Sequence, residues 1–388
     1  MKIVEVKEQN EKKEFLEVAR VIYKNDSTWV CPIDSDIEGV FIPEENSFYK
    51  HGKAIRWILK DGQGNLIGRI AAFIDFKSLK DNDQPTGGCG FFECIDNQDA
   101  ANLLFDTVKA WLKEKDIEAM DGPINFGETD KYWGLLVDGF THPAYKIAYN
   151  APYYQLLFEN YGFQVYYNQE GFHLDLKKEI PPRFWKIAEW VAKKPDYEFR
   201  HFDFSNMEQM AKDFVHVFNE AWKDFKKDFE PMQVEYVMGF LSKAKMVLEE
   251  KFIWIGYNKG EPIAIYLMYP DVNQLFKPFK GKLNFWNKLR LVYGVKTKKM
   301  TRARGVLMGV VPKFQGMGIE SAFIFHINEA LKEMPQYTEL EFSWVGDFNP
   351  PMRKLWSQVG AESAKKYITY RYLFDRNKEF KRYPIPEG

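Results

Sequence analysis

Glycines at 316 and 318 stand where a run of small and branched apolar residues, Val306 to Val311, passes through Pro312-Lys313-Phe314-Gln315 into a helically spaced apolar stretch beginning at Ile319. Lacking a Cβ, glycine reaches conformations other residues avoid, so two of them one residue apart can turn consecutive backbone N–H groups toward one point. The first turn of a helix adds its own unpaired N–H groups and the positive end of its dipole. Such a strand-loop-helix is suited to hold a phosphate-like anion. No Ser/His/Asp arrangement and no metal-ligand spacing stands elsewhere, so no metal is expected. Cys31, Cys89 and Cys94 lack CxxC spacing, and Cys89 and Cys94, five apart in an apolar stretch, read as inert packing residues.

The elements that position this loop follow from periodicity. In the first half, strands are expected near Ile3 to Val6, Ala54 to Leu59, Leu66 to Ile74, Cys89 to Ile95, Glu118 to Phe126 and Phe163 to Leu176. Helices are expected over Glu11 to Tyr23, Asn97 to Lys113 (with Asn97 as its cap) and Pro152 to Asn160. After a proline-bracketed helix at Phe184 to Ala192 the order repeats. A strand at Glu198 to Phe204 precedes helices over Met207 to Phe225 and Gln233 to Glu249, then strands at Phe252 to Tyr257, Ile263 to Tyr269 and Val306 to Val311. A helix from Ile319 to Lys332, a strand at Leu340 to Val345, a helix at Pro351 to Gln358 and a strand at Tyr367 to Phe374 complete it. This is a duplicated α+β layout with a mixed, mostly antiparallel sheet in each copy. The boundaries expected are 1–178 for the first domain, 179–196 for a connecting helix and 197–388 for the second domain.

A chain of 388 residues is long enough for two such cores. The start of the chain shows no apolar secretory segment and no run reaches membrane-spanning length, so a cytoplasmic location is expected. The net charge of -1 hides a local excess. Between 272 and 305 stand ten basic residues, from Lys277 to Arg304, without one acidic residue, interleaved with Phe276, Phe279, Phe285, Trp286, Leu289 and Tyr293. This insertion suits a phosphate-rich ligand or an anionic membrane surface, which would make the protein membrane-peripheral. DNA is not expected, because the chain as a whole is not basic and no recognition motif accompanies the patch.

Val310, Pro312, Gln315, Gly316 and Gly318 resemble the acyl-CoA motif of the GNAT superfamily of N-acetyltransferases, a strand ending V-x-P followed by a Q/R-led glycine loop at a helix start. Asn349, Leu355, Trp356 and Gly360 resemble its second motif, an Asn-led helix. The resemblance spans about 190 residues. It implies acetyl-CoA or a longer acyl-CoA as co-substrate, with the backbone of Met308 and Val310 beside pantetheine and the N–H groups of Gly316, Met317, Gly318 and Ile319 on the pyrophosphate. Asn349 would lie near the thioester. In the first half, Asn150 to Phe163 resembles the second motif alone. The segment from Glu93 to Ala100 has no glycine loop and sets Asp96 and Asp99 where phosphate would lie, so the first domain is expected not to bind CoA. Its loop Asp121 to Glu128 is a candidate acceptor-side element.

The second half departs from the family too. Glu320 replaces a usual Gly or Ala, and Trp356, like Phe158 in the first half, stands where many members carry a tyrosine acid. An amine would then lose its proton to a carboxylate, and Glu341 and Asp347 are the candidates, with Glu339 on the face of Glu341. His326 reads as a helix-face residue. The expected function is acyl-CoA-dependent N-acyl transfer to a small-molecule or lipid-like amine. Two other readings stand beside it: a catalytically inactive GNAT-fold binding protein, and a tandem enzyme using aminoacyl-tRNA.

Overall fold

The computed structural model describes residues 1–80, 84–223 and 229–385. The first half runs β1 (Lys2–Glu5), α1 (Gln9–Ile22), α2 (Asp34–Gly39), β2 (Gly52–Lys60), β3 (Leu66–Asp75), β4 (Thr86–Cys94), α3 (Gln98–Lys113), β5 (Ala119–Gly122), β6 (Leu135–Asp138), α4 (Tyr154–Tyr161) and β7 (Gln164–Asp175). After α5 (Pro182–Ala192) come β8 (Tyr197–His201), α6 (Met207–Trp222), α7 (Val234–Ala244), β9 (Ile253–Asn258), β10 (Glu261–Pro270), α8 (Asn273–Phe276) and α9 (Phe285–Lys296). The chain closes with β11 (Arg302–Val310), α10 (Ile319–Lys332), β12 (Glu339–Gly346), α11 (Pro350–Gln358) and β13 (Glu362–Leu373). The expected elements are present with shifted ends. Of the helix expected to reach Phe225, α6 covers the part to Trp222, and residues 224–225 lie outside the described ones. Four elements, α2, β6, α8 and α9, were not expected.

Local chemistry explains the elements. Asn97 accepts the Ala100 N–H at 2.9 Å and so caps α3. Of the apolar stripe Ala101, Leu104, Phe105, Val108 and Trp111 on this helix, the first four are wholly buried and Trp111 is partly so, each fully buried large side chain contributing about 1.5–3 kcal/mol. β3 is buried along nearly its whole length, as a strand covered by helices on one face and loop on the other must be.

The halves share one sheet with the order β1-β2-β3-β4-β5-β13-β7-β12-β11-β10-β9-β8, and β6 pairs with β13 off this path. This order reads the same from both ends once the halves are matched. Each half closes with the other's last strand: β13 pairs with β5, and β7 pairs with β12, while β7 and β13 pair antiparallel at the centre. Only β4 with β5 and β11 with β12 run parallel among the described pairs.

Those two parallel pairs are short. β11 pairs with β12 only over Arg302–Gly305 against Glu339–Phe342, after which β12 follows β7 and leaves residues 307–310 with β10 as their one strand partner among the described residues. A wedge therefore opens at the C-terminal ends of β11 and β12. The first half splays likewise after Gly88 and Asp121, but its own chain fills the gap. The Ile124 N–H donates to the Cys89 carbonyl at 2.8 Å, and a Cβ on Gly90 would lie 1.8 Å from the Ile124 oxygen. Phe126 stacks on Phe73 beneath. The loop expected on the acceptor side is thus the filler of its own half's wedge, and Asp121 at its root is held by the Arg371 guanidinium at 2.6 and 2.8 Å.

Candidate functional site

The glycine loop lies at the mouth of the open wedge. After β11, a single 3-10 turn (Pro312–Phe314) is anchored by buried Phe314, and Gln315 turns back to donate its side-chain amide to the Val310 carbonyl at 3.0 Å. Gly316 and Gly318 adopt φ of +72° and +83°, the left-handed region that favours glycine. Gly318 is the N-cap of α10 and offers no side chain to it. The N–H groups that open this 14-residue helix therefore have no capping side chain from Gly318, and apart from that of Glu320, which its own carboxyl meets, they suit an acceptor from elsewhere. Gly316 is open to solvent, with nothing within 4 Å of a Cβ placed there. Met317 is exposed between them.

Glu320, in the first turn, is half-buried. Burial pushes its carboxyl above the usual range, opposed only by its own backbone N–H.

On the adjoining wall, Met308 and Val310 are buried, and Gly309 lies under the indole of Trp222, the last residue of α6. A Cβ at 309 would meet that ring at 2.3 Å. Gly309→Ala is expected to cost about 1–3 kcal/mol, read from denaturant unfolding; an unchanged midpoint would show that the indole is free to move aside.

The end of β12 forms the other wall. The Asn349 side chain caps α11 by accepting the Met352 N–H at 3.3 Å, which fixes it at the helix start beside the wedge. Asp347 takes the Asn168 N–H at 3.2 Å, the Asn168 amide at 3.1 Å and the Arg382 guanidinium at 2.8 Å through one oxygen. Its second oxygen, Oδ1, is buried without a partner among the described residues. Trp356 stacks on Phe342 with ring centroids 3.9 Å apart, and Phe158 is core. Both hold places where a hydroxyl would need a partner they do not require.

Glu341 and Glu339 are engaged elsewhere. Glu339 bonds His173 at 2.8 Å. Glu341 is buried, with Lys365 Nζ at 2.6 Å and Arg302 at 3.1 Å. Burial pushes its carboxyl up, but Lys365 and Arg302 outweigh that and hold it below its ordinary value. Glu341 is thus a buried counter-ion whose carboxylate is engaged by two cations. His326 packs between Phe199 and Trp254, and burial lowers its pKa.

The Glu341 cluster was missed in the sequence because its members lie far apart in the chain. Arg302 also clasps fully buried Asp271 at 2.6 and 2.9 Å and meets His142 Nδ1 at 2.8 Å. Burial, then Arg302, lowers the His142 pKa to about 4. Arg304, with no exposure, reaches the carbonyls of Tyr145 and Asp130, the Tyr269 hydroxyl and Ser343. These contacts fasten the 130–146 loops of the first half to strands of the second.

No protein-family pattern matches the chain. Over 382 residues it is 26% identical to a bacterial ceramide synthase of Caulobacter vibrioides (strain NA1000 / CB15N), covering 95% of this chain and 97% of that protein. Over 367 residues it is 24% identical to protein YghO of Escherichia coli (strain K12), covering 93% of each. Among solved structures, a tandem GNAT protein from the clavulanic acid biosynthesis pathway superposes with a TM-score of 0.58 at 10% identity, over 97% of this chain and 99% of that one. With its doubled α+β units, splayed parallel strands and this end-to-end superposition, the chain has the tandem GNAT fold.

Proposed function

We propose that the protein is an acyl-CoA-dependent N-acyltransferase whose second half holds the acyl-CoA and whose acceptor is a long-chain amine. The observation that carries this reading is the uncapped glycine loop at the mouth of the open β11–β12 wedge, since the matching wedge of the first half is filled by its own chain. The pyrophosphate would lie on the N–H groups of residues 316–319, and pantetheine along the free edge of β11. The full-length likeness to a ceramide synthase supports an amino alcohol of the sphingoid kind as acceptor.

In the reaction the neutral amine attacks the thioester carbonyl. The new C–N bond forms, the C–S bond breaks, the amine proton passes to a carboxylate, and the thiolate takes a proton from water. We assign the amine proton to Asp347, a candidate carboxylate just past the end of β12 whose Oδ1 has no partner among the described residues. Positioning and backbone N–H groups supply the remaining stabilisation.

Thermal unfolding with long-chain acyl-CoA, acetyl-CoA or free CoA, followed by turnover with sphinganine, tests this. A ligand at a hundredfold excess over Kd should add about 2.7 kcal/mol of stability. No shift with any thioester overturns the reading, and a shift without amide product from any long-chain amine leaves a binding protein.

A further inference from the structure

Helix α9 carries two apolar faces, and only one is covered. Asn287, Leu291 and Gly294 are buried against the molecule. A Cβ on Gly294 would lie 2.8 Å from Leu275, so the helix backbone is pressed onto α8. Asn284 caps the start by accepting the Asn287 N–H at 3.0 Å. The segment is tied to the first half as well, since the Asp34 N–H donates to the Gly281 carbonyl at 2.8 Å and Arg20 donates to that of Lys280. α9 is therefore a fixed element.

Its outer face is the unusual one. Phe285, Trp286, Leu289 and Tyr293 are 67%, 68%, 47% and 60% exposed. At 3.6 residues per turn they fall within an arc of about 100°, opposite the buried stripe. Lys288 and Arg290 flank that arc and Lys296 lies within it. Of the ten basic residues between 272 and 305, Arg302 and Arg304 are buried in the core, while the other eight are exposed.

We propose that α9 docks the protein on an anionic lipid bilayer, with Phe285, Trp286, Leu289 and Tyr293 at the acyl boundary and the surrounding lysines and Arg290 among the headgroup phosphates. Charge chooses this occupant. A second copy meeting the same face would set one basic field against another. A nucleic acid would meet the phosphates but leave Leu289 and the aromatic edges without a hydrocarbon partner. The placement does not depend on the acyl-transfer reading, because it uses no residue of the wedge.

The test is flotation of the full chain with vesicles of phosphatidylcholine, with and without phosphatidylglycerol, in the absence of acyl-CoA. The chain should rise with the phosphatidylglycerol vesicles and be released by salt. Phe285→Ser with Trp286→Ser should lower recruitment by about tenfold or more, at an unfolding midpoint equal to that of the parent, since both rings are exposed. Lys288→Gln with Arg290→Gln and Lys296→Gln should erase the preference for anionic vesicles. The proposal is overturned if the intact chain stays in the dense fraction, if the double variant floats as well as the parent, or if sedimentation shows Trp286-dependent self-association in its place.

Discussion

Gly316→Asp is expected to lower the affinity for acyl-CoA by about fivefold to several hundredfold, while Gly316→Asn retains most of it. The two side chains are nearly the same size, and a Cβ at 316 meets nothing within 4 Å. Asn and Asp also tolerate the left-handed conformation at this position better than other residues. What separates them is a charge. A carboxylate about 4 Å from a phosphate oxygen costs roughly 1 kcal/mol in water and about 4 kcal/mol at the effective dielectric near a protein surface. Titration by intrinsic fluorescence or calorimetry checks it, with unfolding midpoints as the control for folding. Equal affinities for Asp and Asn would place the pyrophosphate elsewhere.

The second large effect is on stability. Glu341→Leu removes the carboxylate that Lys365 and Arg302 share and leaves the Lys365 ammonium buried, with the carbonyl of His142 as its remaining acceptor among the described residues. Breaking a buried pair in this way costs about 3–5 kcal/mol, far more than an exposed pair is worth. Adding Lys365→Met should recover a substantial part, because the stranded charge goes with it. Urea unfolding of the single and double variants gives the comparison. Acyl transfer per folded molecule should stay within a small factor of the parent in the double variant; a collapse of turnover in a well-folded protein would return Glu341 to the reaction.

How far the sequence could be read depended on the range of the interactions. The loop at Gly316 and Gly318 was legible because the backbone conformation and the helix start are local properties, and α10 begins at Ile319 as its spacing implied. The alternating strands and the doubled order were legible for the same reason. Glu341 was not, since strand periodicity says which face a carboxylate takes but not that Lys365 and Arg302 await it there. Helix α9 escaped notice as a helix because apolar residues on two opposite faces blur the 3.6-residue period. The filled wedge of the first half was only hinted at by the missing glycine loop, as its filler comes from a loop some thirty residues downstream of Gly90. The sharing of strands between halves leaves no mark in composition at all, since β7 and β13 would be equally amphipathic in separate sheets.

That sharing sets the order in which the protein can become whole. β5 leaves the ribosome early, yet its neighbour β13 comes from the last part of the chain, residues 362–373. Until then the nascent first half carries an unpaired sheet edge, the kind of surface that recruits strands from other chains. The final pairing joins residues about 250 positions apart, as Arg371 with Asp121 shows, and such remote closure is slow. The second half, closed by β7, can therefore pair its strands before the first half does, and a ribosome that stalls before β13 releases a first half whose β5 edge is still open.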